Sequence, residues 1–255
     1  MNSWKGWLYL KKLIPILQIL IYITYVAEFT PFLLCLIFFK KIKFPELKVF
    51  FLYTTVFAFF LCLSFYFKFI TSNGVLRLLA NRFFLVAEFS LLAFFYYTCL
   101  SNKRIKLIFR LSVILFFFYS IYDYITTKPG DFSFVPLVIE CLYFLLVILY
   151  FFYDKIQNNS NISIYFQPVF WISVGFLIYF SGNFFLFLFS RSMINNPEFR
   201  LQYTIIYSSV TIIKNIFICT AIIVNAKNDD QISSLTKNIN IDLDSDYPLT
   251  INTNL

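Results

Sequence analysis

The sequence predicts an all-α integral membrane protein of seven transmembrane helices, and three observations predict it. Of its 255 residues, 60% are hydrophobic and 23% aromatic, with a mean hydropathy of +0.76; soluble domains are only about half apolar. Seven apolar stretches reach the ~20 residues that a helix needs to cross the hydrocarbon core. Lys and Arg fall mainly in the short turns between those stretches. In hydrocarbon each backbone amide needs a partner within its own segment, so helices follow. The short alternating segments of a membrane barrel are missing.

Taken in order, the first stretch covers 20–39. It begins like a secretory signal, but no small-x-small site follows and the apolar run continues to Phe39, so it reads as a retained helix. The second, 49–67, follows the basic turn of Lys40, Lys41, Lys43 and Lys48. The third, 83–100, carries Glu88 and ends before Lys103, Arg104, Lys106 and Arg110. The fourth, 107–125, carries Asp123, and the fifth, 133–153, carries Glu140. In the sixth, 168–190, Gly175 and Gly182 are seven apart, share a face and allow another backbone to approach closely. The seventh, 203–225, carries Lys214.

The domain reading is a seven-helix unit over 1–226 and a flexible polar tail over 227–255, too poor in apolar residues to offset its ordering entropy. Asp242, Asp244 and Asp246 alternate in that tail but lack the Gly and terminal Glu of a calcium loop. The two densest basic clusters lie in short loops after the first and third stretches, which places the amino terminus outside and the carboxyl terminus inside. Lys11 and Lys12 argue the opposite way. Glycosylation-like triplets begin at Asn158 and Asn161, in a loop this orientation turns inward.

The formal net charge of +8 forms no continuous basic stripe, so no nucleic-acid partner is expected; topology accounts for it. Histidine is absent, which removes the commonest metal ligand and general base. Cys35, Cys62, Cys99, Cys141 and Cys219 all fall in apolar stretches without metal-knuckle spacing, and read as small buried residues. No metal site, cofactor or catalytic residue is expected. Carboxylates alone do not specify a reaction, and no serine has a histidine to activate it.

The sharpest feature is a repeated Val-[Ala/Ile]-Glu. Glu28 follows Tyr25-Val26-Ala27, Glu88 follows Leu85-Val86-Ala87, and Glu140 follows Leu137-Val138-Ile139. The chain has five glutamates, and three take this position in an odd-numbered stretch. A helical hairpin copied three times, followed by a lone seventh helix, produces that pattern; chance similarity in a chain rich in Phe, Ile and Leu is the alternative. Early positions of odd spans and late positions of even spans share one side of the membrane. Glu28, Glu88, Glu140 and Asn183 are therefore expected roughly 8–12 Å below one face, at ~1.5 Å per residue, with Asp123 nearer the surface and Ser181 beside Asn183. Pro31 frees the carbonyl of Ala27 and is expected to kink the first helix beside Glu28. Intramembrane ionisable groups are costly and mark binding or relay sites. The candidate ligand- or cation-binding set is Glu28, Glu88, Glu140, Asp123, Ser181, Asn183 and Lys214. Lys214 either pairs with a glutamate or extends its ammonium toward headgroups.

Seven helices with a lysine in the last and a carboxylate in the third resemble retinal-binding rhodopsins, in which that lysine forms a Schiff base. The likeness is two residues and a helix count: the sixth stretch, Phe170-Trp171-Ile172-Ser173-Val174-Gly175, lacks the Trp-x-x-Tyr-Pro run. Phe170-Trp171, Gly175 and Leu177-Ile178-Tyr179-Phe180-Ser181-Gly182-Asn183, with the acidic residues of stretches three and five, resemble an uncharacterised family of bacterial seven-helix inner-membrane proteins, over most of 14–226. That resemblance implies a fold and a location, the bacterial cytoplasmic membrane, and no activity. Two functions are expected from the residues. One is a non-enzymatic sensor or interaction component, working with the bilayer and a separate signalling protein. The other is a proton- or cation-coupled transporter of a small molecule, with the glutamates as coupling site.

Overall fold

A computed structural model describes residues 3–70, 74–100, 102–127, 133–157 and 166–244, and the side chains of all of these but 3–14, 16, 68, 69, 191 and 228–244. Lys128, Asp246 and both glycosylation-like triplets lie outside the described residues.

Seven α-helices account for almost the whole described chain: α1 (Ser3–Ile37), α2 (Pro45–Phe69), α3 (Gly74–Cys99), α4 (Lys103–Thr126), α5 (Val135–Gln157), α6 (Pro168–Met193) and α7 (Pro197–Asp244). Among the described residues there is no strand, and each helix contains a stretch long and apolar enough to cross a membrane. This is a multi-pass membrane protein. Prolines at the starts of α2, α6 and α7 have the φ a first turn requires and lack only an N–H that would have no partner there. Asn102 caps α4, its side-chain oxygen accepting from the Arg104 amide at 2.9 Å. A single 3₁₀ turn, Phe39–Lys41, joins α1 to α2.

Neighbour relations close the bundle. α1 packs on both α2 and α7, α2 on α3, α5 on α6, and α6 most extensively on α7. α4 leans on α3 and α5 and is the least buried helix. The three hairpins α1–α2, α3–α4 and α5–α6 are thus not equivalent in packing.

Gly175 explains the tight α6–α7 pair: a Cβ built there would stand 2.9 Å from the Lys214 carbonyl oxygen and 3.1 Å from Phe217 Cβ. With no hydrophobic drive between helices in lipid, such close backbone approach supplies the attraction. Toward the ends of α3 and α5 and the starts of α2 and α6, the interior is filled by Phe50, Phe95, Tyr96, Phe144, Phe151 and Phe176, all 0–1% exposed. Phe144 and Phe180 stack at 5.2 Å, and Phe89 and Phe116 at 3.9 Å, geometries that add to simple burial. The opposite half of the bundle contains a cavity.

Several boundaries differ from the sequence reading, α1 among them, which starts at Ser3 and not at 20. α3 starts at Gly74, not near 83: Arg77, Asn81 and Arg82 depress hydropathy without opposing a helix. α7 starts at Pro197. It also continues through Asp244, into the polar stretch read from sequence as a flexible tail. No Gly or Pro interrupts it before Pro248, and each added residue needs only one more backbone bond. α1 passes through Pro31 as continuous helix.

Candidate functional site

The cavity has a volume of about 460 Å³. Its lining comes from residues 21–28 of α1, the middle of α3, the early turns of α5 and α7 and the later turns of α2 and α6, among them Thr24, Glu28, Phe57, Ser64, Asn81, Phe84, Glu88, Tyr179, Tyr207 and Ser208. Alternating helix direction puts those turns on one side. A second, much smaller space of about 10 Å³ shares Glu28 and Phe57 with the cavity as walls and is bounded also by Pro31, Tyr53, Thr54, Lys214, Asn215 and Ile218, roughly the room one water requires.

Glu28, Glu88, Glu140 and Lys214 are 8%, 5%, 2% and 2% exposed. Ionic groups so far from water persist only where neighbours replace their hydration. Glu88 accepts a hydrogen bond from the Tyr53 hydroxyl at 3.0 Å. Lys214 directs its ammonium at three rings: Nζ is 4.3 Å from the centroid of Tyr179, 5.2 Å from Phe57 and 5.6 Å from Phe176. Desolvated cation–π contacts reach about 2 kcal/mol. The Lys214 charge also acts on Glu88, Glu28 and Glu140.

Neither sequence expectation for Lys214 describes its surroundings. Among the described residues no carboxylate oxygen lies within 4.0 Å of Nζ, and at 2% exposure the side chain does not reach the headgroup level. The rings of α2 and α6 hold it in the interior instead.

The remaining candidates divide. Asn183 is fully buried, and neither polar atom of its side chain has a hydrogen-bond partner. Glu140 does not line the cavity, and its Oε1 is likewise unpartnered. Ser181 stands on the exposed face of α6 and donates to the Ile178 carbonyl at 3.2 Å. Asp123 sits 3.7 Å from Arg82, tying α4 to α3, and takes no part in the lining. The structure thus brings together Glu28, Glu88 and Lys214, places Glu140 within electrostatic reach, and leaves Ser181 and Asp123 apart. Because α3 begins early, Glu88 lies near mid-helix, deeper than the outer layer expected from sequence, and Lys214 stands about midway along its span as expected.

Sequence reasoning did not single out Tyr53, Phe57, Phe176 and Tyr179. Tyr53 carried the only usable signal, a phenol in an apolar stretch that needs a buried partner. The rings were hidden among 37 phenylalanines and 18 tyrosines. Replacing Tyr53 with Phe is expected to lower stability by about 1–3 kcal/mol, the range for a hydrogen bond to an ionisable group, read as a fall in the thermal midpoint in detergent.

Among the described residues no group of three or more His, Cys, Asp and Glu is arranged to hold a metal ion. No protein-family model, curated protein or solved structure matches the chain.

Proposed function

We propose that this membrane protein binds a small organic cation in the half-bundle cavity, as the ligand-receiving part of a sensor or interaction component. One observation carries the reading: a ligand-sized cavity lined by two carboxyl groups, Glu28 and Glu88, and by several aromatic side chains. Carboxylates and ring faces both attract cations, and an ammonium ion removed from water gains most where both are present. In the likeness to bacterial seven-helix inner-membrane proteins, and with the amino terminus outside, the cavity faces the periplasmic side. A separate signalling protein then receives the signal.

The test is binding of tetramethylammonium and n-butylammonium to the protein in nanodiscs by calorimetry. Saturable binding in wild type, weakened at least tenfold in Glu88→Gln, supports the reading. No binding of either ion overturns it.

A second reading, cation-coupled transport, is favoured by the smaller space bounded by Glu28, Lys214 and Asn215, beside a proline-containing helix. Binding sites near the bilayer midplane are common in transporters. Flux of labelled n-butylammonium into proteoliposomes, abolished in Glu88→Gln, supports transport; saturable binding without flux supports the receptor reading.

A further inference from the structure

We infer that Lys214 is a tethered stand-in for the ligand: its ammonium fills the cation position of the site, and an incoming organic ammonium ion must displace it. This inference rests on the ligand-binding reading above and adds what sets affinity and which ligands fit.

The two positions share their walls. Of the three rings around Nζ, Phe57 and Tyr179 also line the wide cavity, and Glu28 borders both the cavity and the space containing Lys214. A cation entering from the cavity therefore meets the same π-faces and the same carboxyl group that the lysine uses. Both cannot be satisfied at once, since a second positive charge in that space would repel the Lys214 ammonium at close range.

Lys214 is held in a way that permits exchange. Its ammonium rests on ring faces and has no carboxylate oxygen within 4.0 Å among the described residues. Cation–π attraction is weakly directional, and the lysine stem has four rotatable bonds, so withdrawal requires no break in α7. Acceptors for the withdrawn ammonium also exist. Thr211 lies three residues before Lys214, on the same face of α7, and is fully buried with its hydroxyl unpartnered. Glu140, 2% exposed, has an unpartnered Oε1 and interacts electrostatically with Lys214. Unpartnered buried oxygens are costly, and an arriving ammonium donates up to three hydrogen bonds.

The ligand class follows from the stand-in. A lysine side chain ends as a butylammonium group, so the site suits primary alkylammonium ions whose apolar tail lies along Phe60 and Phe84 in the cavity.

The experiment measures n-butylammonium binding in nanodiscs for wild type, Lys214→Gln and Lys214→Gln/Glu140→Gln. The double variant removes Lys214 together with one of the buried carboxyl groups that its charge acts on, a second route to a folded protein without the lysine. With the internal competitor gone, affinity is expected to rise at least tenfold over wild type in whichever variants fold. Unchanged or weaker affinity in a folded variant, while wild type binds, overturns the inference and leaves the binding reading standing. If neither wild type nor variant binds, both fall. Should both variants fail to fold, the Lys214 ε-methylene NMR signal of the wild type decides. Its shift from the three rings must be lost when n-butylammonium binds, and a persistent shift in the complex overturns the inference.

Discussion

Replacing Gly175 with leucine is expected to cost about 3 kcal/mol, the upper end for overpacked interiors, and to lower the thermal midpoint enough that little monodisperse protein survives extraction. At Gly175 even the first added carbon meets the Lys214 carbonyl oxygen at 2.9 Å. That neighbour is backbone, so relief requires α7 to move as a whole. Moving α7 would carry Lys214 away from Tyr179 and Phe176, and the loss would extend from the packing seam to the site. Gly74→Ala is the control, because a Cβ at Gly74 meets nothing within 4 Å and alanine is the better helix former. Unchanged thermal stability in Gly175→Leu would show that the α6–α7 approach is looser than the structure has it.

Lys214→Leu is expected to destabilise the protein by about 3–5 kcal/mol, the range for removing one member of a buried charge group. Three glutamates, each 8% exposed or less, share this one buried lysine. Leucine restores volume and leaves the carboxyl groups without a positive neighbour. Adding Glu140→Gln should recover a large part of the loss. A double-mutant cycle on thermal or denaturant unfolding in micelles measures the coupling. Additive losses from the two substitutions would contradict a shared charge balance.

How much was legible in the chain differs between fold and site. Runs of Phe, Leu and Ile near twenty residues long leave helices as the one way to pair the backbone in hydrocarbon, so all seven helices could be read directly. Their ends were less legible where Arg77, Asn81 and Arg82 lower hydropathy while continuing a helix. For the site, the rarity of glutamate in apolar stretches singled out Glu28, Glu88 and Glu140. Lys214 was equally visible, but its surroundings were not: a sequence suggests a close ion pair, whereas the folded chain sets the ammonium among aromatic rings with the glutamates beyond 4.0 Å. Ser181 and Asn183 show the limit of depth arguments. They are two residues apart, yet the helical turn of ~100° per residue sends Asn183 to the interior and Ser181 to the exposed face.

By itself the sequence determined that the chain is a membrane-spanning helical bundle with ionisable groups inside it, because hydropathy and backbone pairing are local properties of each segment. Only the tertiary structure decided that one half of the bundle is packed with aromatic side chains and the other contains a cavity. It also decided that Glu28 and Glu88 border that cavity while Asp123 pairs with Arg82, and that Lys214 lies among Phe57, Phe176 and Tyr179. Those outcomes depend on the rotation of each helix about its axis and on which helices become neighbours. Both are set by contacts between residues far apart in the chain, such as Gly175 against Lys214.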